Sequence, residues 1–164
     1  MGEPKKSVDS RVESSGQGDS SWLSHITNYI PTIKAAILVV DDEEATLKLA
    51  RVLLEREGYL VKTASDATIA LKLMHDFLPD LIITDWNMPG LTGPEFIREV
   101  RNIPTFRSIP MILLTGLDDV DGRQQGAEAG ANAYIHKPFG RPELYSTITN
   151  LLRLKQREQE LTKV

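Results

Sequence analysis

The 164-residue chain contains no cysteine, which removes disulfides, thiolate zinc sites and cysteine nucleophiles together. It also lacks a long hydrophobic run. The longest, Ala35-Ala36-Ile37-Leu38-Val39-Val40, has six residues, against the roughly 20 that a membrane-spanning helix needs. No apolar stretch follows Lys5 and Lys6, so the first residues are not expected to form a secretory signal. Nor is there a surplus of positive charge: 19 Lys and Arg stand against 23 Asp and Glu, a net charge of -4. That is the wrong sign for gripping a phosphate backbone along a broad face. The expectation is a cytoplasmic protein that contacts neither a membrane nor nucleic acid through this chain. What is present, 41% hydrophobic and 26% charged residues, is near the average for a globular protein and suits one folded domain with tails.

Residues 7 to 21 hold six serines and two glycines, too little apolar surface to offset the entropy of ordering. Residues 1–34 are therefore predicted to be a flexible N-terminal tail. Within it, Trp22, Ile26, Tyr29 and Ile30 fall at helical spacing and would line one face of a short helix over 22–30, closed by Pro31. From residue 35 the pattern changes to short apolar runs separated by amphipathic stretches. The runs at 37–40, 60–63, 80–84, 110–114 and 133–135 read as strands, and 43–57, 66–76, 93–102 and 120–129 read as helices, with a last helix from Pro142. Gly58 and Gly130 mark helix ends, and Pro142 a first turn. The fold class predicted is α/β, a parallel sheet wound on both faces. The domain is expected over 35–153, with 154–164 extending its last helix. Thr147, Leu154 and Leu161 lie seven apart there, a weak heptad expected to be a solvated face. Only 12 residues follow Leu152, too few for a DNA-binding module, so the chain is expected to be a stand-alone unit or a piece cut before an output domain.

In open α/β sheets, ligands bind beyond the carboxyl ends of the strands. Asp41 and Asp42 follow the first apolar run, Asp85 the third and Thr115 the fourth, and Lys137 with Pro138 comes just past the fifth, beyond His136. Each has a local explanation. Asp41 with Glu44 resembles a capping box, Asp85 enters a Pro89-Gly90 turn, Thr115 can end a strand, and Lys137 can be a surface lysine. Four strand ends supplying such groups together are harder to attribute to local preference. Three carboxylates near one another need a cation, and hard oxygen donors suit Mg²⁺ with phosphate oxygens. Phosphoryl chemistry follows, with one carboxylate as the nucleophile.

Four segments then carry a specific resemblance. Val40-Asp41-Asp42-Glu43, Asp85-Trp86-Asn87-Met88-Pro89-Gly90 with Gly93, Leu114-Thr115-Gly116, and Tyr134-Ile135-His136-Lys137-Pro138-Phe139 are together similar to the receiver domains of two-component response regulators. The resemblance spans residues 35 to 153. It implies a flavodoxin-like sheet of five parallel strands in the order 2-1-3-4-5 with five helices. It further implies that Asp85 is the phosphoacceptor and modified residue, served by a phosphohistidine on a sensor histidine kinase or phosphotransfer protein. Asp42 and Asp85 would be direct Mg²⁺ ligands, Asp41 a partner acting through metal-bound water, and Asn87 the position that gives a backbone carbonyl. Lys137 would pair with the phosphoryl group, Thr115 would turn toward it, and Tyr134 would change rotamer in response. The Lys137-Pro138 bond would be cis. Partners, whether a downstream effector, a missing output domain or a second copy, would read the face made by the fourth helix, fifth strand and fifth helix.

Some positions depart from the commoner pattern. Gly116 replaces a more usual alanine, Leu117 is apolar where many members are polar, and Thr92 replaces an acidic residue. Leu117 and Asn87 together lead us to expect slow self-hydrolysis of a phosphoaspartate. Two other readings remain open on sequence alone. A phosphohydrolase of haloacid dehalogenase type combines the same residue types, but places Asp-x-Asp after its first strand, where this chain has adjacent aspartates. An adaptor that retains the fold without being phosphorylated is the other.

Overall fold

The computed structural model describes residues 34–116 and 123–162. Residues 1–33 of the expected tail with its 22–30 helix, Leu117, positions 120–122 of the helix expected over 120–129, and residues 163–164 lie outside the described residues. Five strands form one sheet: β1 (Ala36–Val40), β2 (Leu60–Ala64), β3 (Leu81–Asp85), β4 (Met111–Thr115) and β5 (Ala133–His136). All pairs are parallel and the order is β2-β1-β3-β4-β5, as the family resemblance implied. The described helices are α1 (Glu44–Arg56), α2 (Ala67–Leu73), α3 (Gly93–Arg101), α4 (Arg123–Ala129) and α5 (Arg141–Thr162), with a 3₁₀ turn at Pro104–Phe106.

The inner strands are apolar along their length because helices cover them on both sides. Every residue of β3 and β4 is buried. Alternate side chains feed two separate cores. On one face Leu38, Val40, Ile82, Met111 and Leu113 pack against Ala67, Ala70, Phe96, Ile97, Val100 and Ala129 of α2, α3 and α4. On the other, Ile37, Val39, Ile83, Ile112, Leu114 and Ile135 pack against Ala50 and Leu54 of α1 and Leu144 and Ile148 of α5. Gly58 and Gly130 follow α1 and α4 with positive φ, as helix stops do.

Three local expectations are corrected. Strands β3, β4 and β5 each run one residue past the apolar stretch, so Asp85, Thr115 and His136 are terminal strand residues. The ladder continues through them because Asp85 pairs in register with Leu114, and Thr115 with His136. Helix α2 ends at Leu73 rather than 76, its start capped by Asp66, whose Oδ1 accepts the Ile69 N–H at 2.8 Å. Asp41 does not cap α1: the N-cap is Glu43, without a side-chain cap. Asp41 sits two residues earlier and its Oδ1 reaches only the Glu43 N–H, at 2.9 Å. The capping box occurs instead at α3, where Thr92 Oγ1 accepts the Glu95 N–H at 3.3 Å and Glu95 Oε1 accepts the Thr92 N–H at 3.0 Å.

The edge of the sheet opposite the strand ends is tied by Arg101. Its Nε and Nη2 donate to Gly130 O at 3.2 and 2.8 Å, and Nη1 donates to Ile109 O at 2.6 Å and Arg107 O at 2.8 Å. Nη2 also donates to Asn132 Oδ1 at 2.8 Å, the oxygen that accepts the Met111 N–H. One guanidinium thus joins the end of α3, the entry to β4, the end of α4 and the entry to β5. Lysine cannot reproduce a planar fork that serves these directions. Arg101→Ala is expected to lower the unfolding free energy in urea by about 2–3 kcal/mol, with Arg101→Lys recovering less than half of the loss.

Candidate functional site

The parallel strands end together on one edge, and the turns beyond them gather the charged groups named from sequence. Asp41 and Asp42 leave β1, Asp85 ends β3, and Lys137 follows β5, its N–H donating to Thr115 O at 2.8 Å. Carboxylate oxygens of Asp41, Asp42 and Asp85 come within 4.8 Å of one another. Lys137 Nζ stands among them, 2.7 Å from Asp41 Oδ2, 3.1 Å from Asp85 Oδ1 and 3.2 Å from Glu43 Oε1. The groups surround a depression of about 320 Å³ lined by Asp42, Glu43, Asp85, Asn87, Gly116 and Lys137. Lys137-Pro138 is a cis peptide.

Burial sets the electrostatics. Asp41 is fully buried and Asp85 nearly so, while Asp42 is exposed at the mouth. Burial raises the Asp41 pKa, with Lys137 and the Glu43 N–H pulling it back. Asp85 is pushed up to about 6, first by burial and then by the Asp41 charge, against the opposing pull of Lys137. Burial alone would lower the Lys137 pKa, but Asp41 and Asp85 raise it well above the usual lysine value. The two carboxylates therefore favour the charged ammonium. It does not balance the set: carboxylates about 5 Å apart repel by roughly 3 kcal/mol per pair at an effective dielectric near 20.

The donor set fits a hard divalent cation. Asp41 Oδ2 is buried without a well-directed hydrogen bond, and its compensation is the ion pair with Lys137. Three carboxylates with converging oxygens, one solvent-facing, offer Mg²⁺ the oxygen ligands it prefers while leaving room for water. Asp41, Asp42 and Asp85 are the side chains able to hold it, beside Asn87 on the lining.

Gly93 holds the Asp85 turn in place. Its N–H donates to Trp86 O at 2.6 Å. A Cβ there would overlap the Asp85 carbonyl oxygen and lie 2.7 Å from Leu113 Cδ1. Only glycine lets α3 start so close to the strand end.

Three of the sequence candidates do not line the depression: Asp41 lies wholly buried behind Lys137, and Thr115 and Tyr134 lie farther into the sheet. Thr115 is buried, and its Oγ1 lies 3.0 Å from His136 Nδ1. Tyr134 is half-buried against the core beneath α2, α3 and α4, close to Gly126 of α4. Two residues that sequence reasoning passed over belong to the arrangement. Glu43 was hidden in the acidic run Asp41 to Glu44, and only its ion pair with Lys137 sets it apart. His136 was stepped over on the way to Lys137, although its place one residue before the lysine puts it in register with Thr115.

Residues 37–149 match the family model described as the response regulator receiver domain. Response regulator PleD of Caulobacter vibrioides is 41% identical over 123 residues, which cover 75% of this chain and 27% of PleD. The phosphate regulon transcriptional regulatory protein PhoB of Rhizobium meliloti is 40% identical over 117 residues, 71% of this chain and 52% of PhoB. The chain thus spans about half or less of these curated relatives. Among solved structures, a putative response regulator from Chloroflexus aurantiacus superposes with a TM-score of 0.70 at 34% identity, over 73% of this chain and 98% of that one. Chemotaxis response regulator CheY4 of Vibrio cholerae does so with a TM-score of 0.69 at 33% identity, over 73% and 99%. Strand order, the gathered carboxylates and these matches agree, and the chain belongs to the response regulator receiver domain family.

Proposed function

We propose that this receiver domain is a phosphorylation switch in which Asp85 takes a phosphoryl group from a phosphohistidine on a sensor histidine kinase or histidine phosphotransfer protein. The observation that carries the reading is the Lys137 ammonium shared between Asp41 and Asp85 beside an acidic depression. An Asp85 carboxylate oxygen attacks phosphorus, the P–N bond to the imidazole breaks, and the imidazole leaves with the bond's electron pair. Lys137 neutralises a phosphoryl oxygen, as a point charge already held at the strand ends. Asp41, Asp42 and Asp85, with Asn87, are the residues that would hold Mg²⁺, and when bound the ion offsets the charge that phosphate brings to three carboxylates.

The output is conformational. A phosphorylated Asp85 offers Thr115 new acceptor oxygens, and the space the threonine leaves admits Tyr134. What supports this is the packing of Tyr134 on α4: a Cβ on Gly126 would sit 3.0 Å from the tyrosine Cε1 and 3.2 Å from its hydroxyl. Moving the ring therefore bears directly on helix backbone. The face of α4, β5 and α5 is read by an effector, an output domain or a second copy of this chain, in the cytoplasm, without nucleic acid binding by the chain itself. Self-hydrolysis is slow, and the domain turns over no substrate beyond its own phosphoaspartate.

Incubation with Mg²⁺ and acetyl phosphate should add one phosphoryl group, seen as a mass shift on the intact protein. Asp85→Asn should abolish it, and labelling that persists in that variant would move the acceptor elsewhere. Asp42→Ala should weaken Mg²⁺ binding by more than about tenfold and slow labelling in step; an unchanged metal titration would remove Asp42 from the ligand set.

Burial of Asp85, with repulsion from Asp41, makes a separate prediction for the metal-free protein. A carboxyl whose folded pKa is raised binds a proton in the folded state while the unfolded chain does not, so stability grows as pH falls through about 6 toward 4. Above pH 6 the ionised Asp85 is a cost. In EDTA, Asp85→Asn should therefore stabilise the fold at pH 7.5 by on the order of 2 kcal/mol and by little at pH 4.5. Urea unfolding at the two pH values measures the difference, and saturating Mg²⁺ should shrink it.

A further inference from the structure

We infer that His136 is a positioning residue for this switch: it holds the Thr115 hydroxyl on β5 in the resting protein, and that contact must break before the hydroxyl can turn to a phosphoryl group on Asp85. The inference rests on the reading of Asp85 as phosphoacceptor. Thr115 is 1% exposed, so its hydroxyl needs a protein partner. It has one in His136 Nδ1, at 3.0 Å, on the residue directly opposite in register. The Thr115 backbone is fixed by the Lys137 N–H on its carbonyl, which leaves side-chain rotation as the available motion. Gly116 lines the acidic depression and Thr115 does not. Thr115 also lies one residue past Leu114, the register partner of Asp85, close enough in the sheet for a rotated hydroxyl to matter.

The imidazole tautomer does not alter the conclusion. If Thr115 donates to Nδ1, its single proton is committed to β5. If Nδ1–H donates to Oγ1, the oxygen is still tied to β5. In either case a phosphoryl group competes with His136 for the same hydroxyl. Tyr134 lies two residues earlier on the same strand and face, so the ring that follows the threonine and the ring that restrains it share β5.

The test is equilibrium binding of beryllium fluoride, a phosphoryl mimic, to the full chain with Mg²⁺, followed by fluorescence of Trp86 next to Asp85. Loss of one net hydrogen bond in the resting state should tighten binding by about two- to tenfold in His136→Ala. His136→Asn, whose amide can occupy the Nδ1 position and either donate or accept, should return the wild-type value. In a Thr115→Val background, His136→Ala should change nothing, whereas a purely packing role would persist there. Urea unfolding of each variant confirms that the compared proteins are folded. Unchanged binding in His136→Ala, or an equal effect with and without the Thr115 hydroxyl, would overturn the inference while leaving Asp85 in place. If the wild-type chain neither binds the mimic nor takes label from acetyl phosphate, the phosphoacceptor reading falls and this inference falls with it.

Discussion

The ammonium of Lys137, held within 3.2 Å of Asp41, Glu43 and Asp85, ties the end of β5 to the acidic ends of β1 and β3, which would otherwise repel. Removing that ammonium would leave three carboxylates, two of them buried, uncompensated, a cost larger than any one ion pair contributes. The cluster remains short of positive charge even with the lysine in place. Burial, reinforced at Asp85 by the charge of Asp41, keeps both carboxyls at raised pKa values, and the shortage of positive charge suits the edge to a metal ion. A fully neutralised site would be more stable and could do less.

The sheet supplies the geometry without which those charges would not meet. Parallel order β2-β1-β3-β4-β5 sends β1 and β3 side by side, so Asp41 and Asp85 emerge as neighbours. β5 is two strands from β3, and Lys137 spans that distance with a long side chain. Apolar layers on both faces make this arrangement stiff, since Ile83, Ile112 and Leu114 beneath the edge are buried within one close-packed core. Chemistry is thereby concentrated in turns and strand termini while the scaffold beneath stays dry.

Legibility in the sequence followed the range of the interactions. Strands and most helices were readable because burial on both faces leaves continuous apolar runs, and the carboxylates and lysine because they follow those runs. The strand ends were placed one residue short, since a polar side chain at Asp85, Thr115 or His136 interrupts hydrophobicity but not the backbone ladder. Asp41 reads as a cap by spacing alone, but the carboxylate is wholly buried against Lys137 and stands two residues before the true N-cap. Glu43 and His136 could not be singled out, because what distinguishes each is a partner 94 or 21 residues away. Arg101 carried no local signal either, for all its acceptors but Asn132 Oδ1 are backbone carbonyl oxygens, and Asn132 is 31 residues away.

Arg101 bears on how a disturbance at the strand ends could spread. By holding the Gly130 carbonyl, it moors the C-terminal end of α4 to the entries of β4 and β5. Gly126, against which Tyr134 packs, lies four residues up the helix, about 6 Å from that mooring at 1.5 Å per residue. In the proposed switch a push from the tyrosine ring would therefore fall close to a fixed point, and the helix would tilt about its Arg101-held end rather than slide along the sheet.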